Sequence, residues 1–348
     1  MQAEAVLDWL DALVDDLPMA PAQAALFRLQ IEQGREQARH HPLPAAELPG
    51  LAYSALTGQP APEPLSGACL CVWLGADLLD NVLDRELPEG WAQVGPEAAT
   101  LTAVTFLVVL WKALGRLRQH GVPAERAADL GDWFADRLLQ MSSGEQADLG
   151  VPENPTAEDA VQIATAKSGS QFALYAGAAA RLAEASPELE AHYVEYGLCL
   201  GTASQLMSDL ADVCRAPESD DLRNGARTLP IVHALNTLEP PDRDRLEEAL
   251  RACRTVDGAQ AEARELLIRA GSPAYVAHEA YLLRGRGQST LSAAAAQGSA
   301  AARLRELSDL SATWTDPQTG QPLEHVTERG TGASSDEIAD ELRRQALG

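Results

Sequence analysis

An otherwise apolar, small-residue stretch between Tyr196 and Asp212 carries Gln205, Ser208, Asp209 and Asp212. Spaced three and four apart, they fall on one face of a helix. Leu206, Met207, Leu210, Ala211 and Val213 occupy the remaining positions and are expected to pack into a core. Two carboxylates, a hydroxyl and an amide facing inward need a compensating partner, because an unpaired buried charge is costly. A hard cation such as Mg²⁺, which takes oxygen ligands, meets that need. A second group of the same kind, Asp77, Asp80, Asn81 and Asp84, follows the apolar run from Ala68 to Ala76. Its aspartates recur at i, i+3 and i+7, again one helix face. A lone pair of aspartates three residues apart is ordinarily a solvated surface. Two acid-bearing faces, with 125 positions from Asp84 to Asp209, are instead the material from which facing helices of a bundle build a metal site.

The elements that must carry these faces read as helix almost everywhere. Apolar positions return every three or four residues, Ala and Leu are abundant, and period-two alternation is absent. Helices are expected over 1–16, 21–40, 44–57, 65–86, 97–120, 123–147, 156–184, 187–215, 227–237, 242–253, 258–270, 273–284 and 288–311. Breakers such as Pro88-Glu-Gly90 and Gly121-Val-Pro123 separate them, and no flexible linker divides the core. The expectation is one all-α domain over 1–312, followed by a polar tail over 313–348. Within that tail, Ser334 and Glu337 have the spacing of a capping box opening a last short helix.

Composition narrows the function. A formal net charge of −24 with a pI near 4.6 argues against nucleic acid, whose phosphates demand clustered Lys and Arg. It fits a soluble cytoplasmic protein that holds an anionic ligand through metal ions. The acidic, amphipathic N-terminus does not read as a signal peptide, and the apolar run Thr105–Trp111 is too short to span a bilayer. Five cysteines, an odd number, sit within apolar helical patterns and read as free core thiols in a reducing compartment. Cys69 and Cys71 have no Cys/His cluster elsewhere to complete a zinc site.

Taken jointly, the motifs resemble the trans-isoprenyl diphosphate synthase (polyprenyl synthetase) family of the class I terpenoid fold. Asp80-Asn81-Val82-Leu83-Asp84 is similar to the family's Asp-Asp-x-x-Asp, with Asn in the second place. Gly197-Leu-Cys-Leu-Gly201 and Gln205-Leu-Met-Ser208-Asp209-Leu-Ala-Asp212 resemble its second acidic motif, with Ser for the first Asp. Gly144-Glu145-Gln-Ala-Asp148-Leu149, Lys167-Ser168 and Gly225-Ala226-Arg227-Thr228-Leu229-Pro230 resemble three further family steps, the last with Ala226 in place of Lys. The resemblance runs from about residue 65 to 285.

It implies a helical bundle around a deep central cavity and a homodimer, with residues 97–117 as the contact. It also implies Mg²⁺, three ions with bound diphosphate, held by Asp80, Asp84, Asp209 and Asp212. The implied catalytic set is Asp80, Asp84, Asp209 and Lys167. Substrate contacts would come from Lys167, Gln205, Arg227, Phe172 and Asn81, with Tyr175 beside Phe172 and Asp77 behind the metal waters. Gly75 and Ala76 would leave room for a long chain, and Arg284 and Arg286 either close the cavity or end a surface helix.

The departures direct the functional expectation. Family members that condense isopentenyl diphosphate grip it with a Gly-Gly-Lys-Arg segment, a His upstream of the first acidic motif and an Arg-Arg-Gly after it. Here the corresponding region reads His40-His41-Pro42-Leu-Pro44, with Arg35 and Arg39 upstream, and only Arg85 follows Asp84. A diphosphate without Arg or Lys partners binds poorly. The expectation is therefore ionisation of an allylic diphosphate with an acceptor other than isopentenyl diphosphate. A terpene synthase that quenches the cation internally, and a non-catalytic subunit marked by Asn81, Ser208 and Ala226, stand as alternatives.

Overall fold

Proline at the first turn and left-handed glycine past the last turn punctuate the helices as the sequence leads one to expect. Among the described residues, proline stands at the first or second position of eight of them, and Gly58 and Gly225 adopt left-handed backbone at two C-termini. The computed structural model describes residues 3–150, 154–215 and 218–310; the expected polar tail and its last helix lie outside the described residues. The elements are α1 (Ala3–Asp15), α2 (Pro21–His40), α3 (Pro44–Thr57), α4 (Glu63–Asp84), α5 (Glu89–Ala92), α6 (Pro96–Arg116, extended by a 3₁₀ turn to His120) and α7 (Ala124–Leu149). They continue with α8 (Ala157–Ala164), a π-helical turn (Thr165–Gly169), α9 (Ser170–Leu182), α10 (Pro187–Arg215), α11 (Asp220–Asn224), α12 (Leu229–Thr237), α13 (Pro240–Ala252), α14 (Ala259–Arg269), α15 (Ser272–Ala293) and α16 (Gly298–Leu310). No strand occurs among the described residues, so the fold is all-α.

Four local expectations needed correction. Pro88-Glu-Gly90, read as a breaker, runs into α5. The helix expected over 227–237 begins only at Leu229, with α11 and a glycine turn before it. The helix expected over 156–184 contains the π turn. The break expected around Gly285 and Gly287 is absent: α15 runs through both. Glycine costs a helix interior only about 1 kcal/mol, and Gln288 on the next turn is anchored to Asp309 (2.7 Å). The chain instead turns at Ala295, a non-glycine residue at φ 52°, with Ala296 N–H bonded back to Leu291 O (3.1 Å).

The packing forms two compact units. Among the described residues, the first comprises 3–139, 171–197 and 290–305, and the second comprises those within 140–170, 198–289 and 306–310. In the first, α4 is buried nearly all round from Leu65 to Leu74 and packs on α3 and α6. Phe27 stacks on Phe106 with centroids 3.8 Å apart. Gly75 lies at the α4–α6 crossing, where a Cβ would come within 3.2 Å of Ala103 O. In the second unit Leu206, Leu210 and Val213 of α10 close on Leu229, Ile231, Leu266 and Leu267. None of the five cysteines forms a disulfide, and all but Cys214 are buried, as expected of core thiols.

Two helices do reach membrane-spanning length and apolarity, Glu63–Asp84 and Pro96–His120, with mean hydropathy of 1.3 and 1.7. Run length alone missed them, because small and hydroxylated residues interrupt the apolar runs without making the helix polar. The apolar surface of α4 is consumed by the core just described, which makes this weak evidence for a bilayer. On α6 an exposed apolar row remains, Leu101, Val104, Val108 and Trp111.

What positions the second acidic face is a close approach of backbones around the π turn. There Ser170 N–H bonds to Thr165 O, the five-residue step that inserts one extra residue into a helix. On α7 a Cβ at Gly144 would fall under 3.0 Å from the backbone of Ala166 and Lys167. On α10 a Cβ at Gly201 would do the same with the carbonyl of Ser168, and one at Gly169 would meet Thr202 Oγ1 at 2.7 Å. Here glycine is a space requirement, since backbone cannot move aside as a side-chain tip can. Gly201→Ala should therefore lower stability by about 1–3 kcal/mol, the usual range for overpacking, and shift the urea midpoint accordingly. An unchanged midpoint would show that α10 does not press on the π turn.

Candidate functional site

Within the second unit the close approach gathers a polar cluster. Lys167 emerges from the π turn with its side chain 17% exposed, its Nζ 2.6 Å from Asp148 Oδ2 and 3.1 Å from Glu145 Oε2, both carried by α7. The next residue, Ser168, donates from Oγ to Gln205 Oε1, and Gln205 Nε2 donates to Asp209 Oδ1 (2.7 Å). Ser168, Gln205 and Asp209 thus form one hydrogen-bonded chain, as the sequence spacing predicts for 205 and 209, and the charge of Lys167 acts on Asp209. Asp148 and Glu145 entered the sequence reading only as part of a motif; the structure makes them the partners of Lys167. Burial pushes the Asp209 carboxyl up to about 7, and the charges of Asp148 and Asp212 act in the same direction. The Gln205 amide and Lys167 oppose that shift. Ser208, on the same helix, is exposed.

Asp212 does different work. Its carboxylate accepts from Ser219 Oγ (2.5 Å) and from the backbone N–H groups of Asp221 (3.1 Å) and Asp220 (3.3 Å). Ser219 in turn caps α11 by accepting from Leu222 N–H (3.1 Å). The aspartate therefore ties the last turns of α10 to the start of α11. Serine three residues before a helical leucine is a capping signal, but nothing local in sequence ties it to Asp212. Arg227 lines a cavity that none of Lys167, Gln205, Asp209 or Asp212 lines.

In the first unit Asp80 and Asp84 are exposed near the end of α4, which stops immediately after Asp84. Arg85 takes left-handed backbone there (φ 63°), and Glu86 N–H returns to Asn81 O (2.8 Å). Asn81 donates its amide to Asp77 O (2.8 Å) within its own helix. Asp77 accepts from Gln30 Nε2 (3.1 Å), while Gln30 Oε1 accepts from Trp91 Nε1 (2.7 Å). Burial raises the Asp77 carboxyl to about 6, partly opposed by the Gln30 bond. Phe172 and Tyr175 are buried neighbours with centroids 5.8 Å apart. Arg284 and Arg286 lie inside α15, and the Arg284 guanidinium sits 4.7 Å over the Tyr281 ring.

The oxygens near Asp209 are those of the Asp148 and Asp212 carboxylates, which suit a hard divalent cation and not a soft one, while Gln205 turns its Nε2 to Asp209 and its Oε1 to Ser168. The cost of ionising Asp209 is itself relieved by a bound cation. Among the described residues, no three His, Cys, Asp or Glu side chains are already gathered as a metal site. The chemistry of the donors fits Mg²⁺, while a complete ligand cage is not preformed.

Comparison with known proteins follows the same lines. The chain is 24% identical over 200 residues to the short chain isoprenyl diphosphate synthase of Methanocaldococcus jannaschii, covering 55% of this chain and 60% of that protein. It is 29% identical over 241 residues to the nonaprenyl diphosphate synthase of Mycobacterium tuberculosis, covering 62% and 66%. The matched region is thus under two thirds of the length of either relative. Among solved structures, geranylgeranyl pyrophosphate synthase from Corynebacterium glutamicum, complexed with isoprenyl diphosphate and magnesium, has a TM-score of 0.75 at 20% identity, covering 89% of this chain and 98% of that one. At that identity the likeness establishes the fold. Residues 77–267, more than half of the chain, match the polyprenyl synthetase family model, and the chain belongs to that family.

Proposed function

We propose that the chain is a Mg²⁺-dependent enzyme that ionises an allylic prenyl diphosphate and passes the prenyl group to an acceptor other than isopentenyl diphosphate. The observation carrying this reading is how its cations are used. Lys167 is presented on a π turn between two partly exposed carboxylates that an incoming diphosphate can displace. Arg28, Arg35 and Arg39 lie upstream of the segment that would grip a second diphosphate, and that segment itself, residues 40–47, holds no Lys or Arg. Arg28 pairs with Asp11 and Asp15, Arg35 with Glu4, Asp8 and Glu32, and Arg39 with Glu36. The first half of the reading is also supported by the family, whose relatives are named as isoprenyl diphosphate synthases.

In this reading Asp80, Asp84, Asp209 and Asp212, with Asn81 beside the first pair, are the residues that would hold Mg²⁺. When bound, the metal neutralises the charge that develops on the departing diphosphate. Lys167 adds a fixed positive charge to the leaving oxygens, and Gln205, pinned by Ser168 and Asp209, orients them. The allylic carbon–oxygen bond breaks with its electron pair going to diphosphate. The acceptor supplies the new pair and loses a proton. The names of the relatives favour a second reading, chain elongation with isopentenyl diphosphate.

We also propose a homodimer through α6, whose Leu101, Val104, Val108 and Trp111 recur at helical spacing and stay exposed.

Labelled prenyl diphosphates of increasing length, with Mg²⁺ and with or without isopentenyl diphosphate, test the activity. The expected result is metal-dependent release of diphosphate that isopentenyl diphosphate does not alter, with Lys167→Ala slower by about 10²–10³-fold. An elongated product would establish the second reading instead, and no turnover of any length would identify a non-catalytic subunit. For assembly, light scattering should give twice the chain mass, and Val108→Glu should reduce it to one chain. A monomeric parent protein would refute the α6 contact.

A further inference from the structure

The second unit contains a cavity of about 760 Å³, within the range of small-molecule sites. Arg223, Arg227, Arg243, Arg251 and Arg254 all line it, against only two carboxylates, Asp244 and Glu247. In a chain of net charge −24 this is a local reversal of sign. The arginines are not equivalent. Arg223 pairs with Asp220 and, at 3.6 Å, with Glu218. Arg254 is fixed in place, donating from Nε to Arg223 O (2.7 Å) and from Nη2 to Asn224 Oδ1 (3.2 Å). Arg251 has a loose partner in Glu247 at 3.8 Å. Arg227 and Arg243 have no carboxylate partner among the described residues. Guanidinium groups left unpaired on a concave wall are suited to bidentate capture of phosphate oxygens. Val232 and Leu250, both buried, and Leu235 supply an apolar side to the same cavity.

We propose that this cavity is a second binding site, for a small molecule bearing a diphosphate group. Concavity favours a small ligand over an acidic peptide, which would need an extended groove. The number of arginines favours a multiply charged diphosphate over a single carboxylate. Nothing in this inference depends on the activity proposed for the Lys167 cluster, with which the cavity shares no lining residue.

Calorimetry on the full chain in EDTA, with inorganic diphosphate as probe, tests it without metal or turnover. The expected result is saturable binding of one diphosphate per chain, unchanged in Lys167→Ala. Binding should weaken by about tenfold or more in a double Arg243→Ala, Arg251→Ala variant, as expected for losing charge-assisted bonds. A single Arg243→Glu variant repeats the test by charge reversal, and thermal unfolding confirms that both variants are folded. A parallel titration with geranyl diphosphate identifies the source. Tighter binding than inorganic diphosphate assigns a prenyl chain to the Val232–Leu250 side, and equal binding assigns free diphosphate. Absence of saturable binding, or binding that survives the double variant and disappears in Lys167→Ala, would overturn the proposal.

Discussion

Around the π turn, backbone touches backbone, and the polar chemistry of the second unit hangs on that contact. Gly144 admits α7 and Gly201 admits α10 to within a distance that any Cβ would forbid, with Gly169 of the turn itself facing α10. The five-residue step then rotates Lys167 and Ser168 relative to a regular helix, so that they meet carboxylates from α7 and the Gln205–Asp209 pair from α10. A regular α-helical turn would satisfy its own hydrogen bonds equally well but would point these two side chains elsewhere. The stabilisation that holds the irregular turn comes from the apolar surface of α10, where Leu206, Leu210 and Val213 are buried at about 1.5–3 kcal/mol each.

Charge is distributed with the same economy of partners. The chain carries a large negative excess, yet its acids are not equally free to be ionised. Asp209 and Asp77, one in each unit, are lifted by burial toward neutrality, and each is offset in part by a glutamine amide. At Asp209 the neighbouring Lys167 and the surplus of nearby carboxylates create a place where an added divalent cation lowers the free energy of the whole set. At Asp77 the Gln30–Trp91 chain satisfies the carboxylate from within the core, which makes it a support of α4 just behind Asp80. Positive charge is divided between engaged arginines on α2 and a concentrated group on the cavity beside α12 and α13.

Family membership and local divergence coexist because they rest on different residues. The backbone approach at the glycines and the burial of α4 and α10 preserve the fold at low identity to its structural neighbours. Ser208, exposed on α10, and Ala226, in the turn before α12, change what the frame presents without changing how it packs. Asp212 illustrates the reverse case. A residue that reads as a metal ligand from its motif is also the acceptor that shapes the segment from Ser219 to Asp221.

The amino-acid sequence by itself determined the all-helical class, most helix limits, the i, i+4 pairing of Gln205 with Asp209 and the family resemblance. Periodicity, proline and glycine caps and i, i+4 spacing are local properties that a neighbour several residues away suffices to define. Only the tertiary structure decided that residues 165–169 wind as a π turn, that Arg227 joins Arg243 on a cavity, and that α15 continues through Gly285 and Gly287. It also decided that Asp77 is answered by Gln30 and Trp91. Each of these outcomes depends on atoms supplied from distant stretches of the chain. No local pattern encodes which of them will arrive, because the partner is chosen by the packing of apolar faces and not by the residues that make the polar contact.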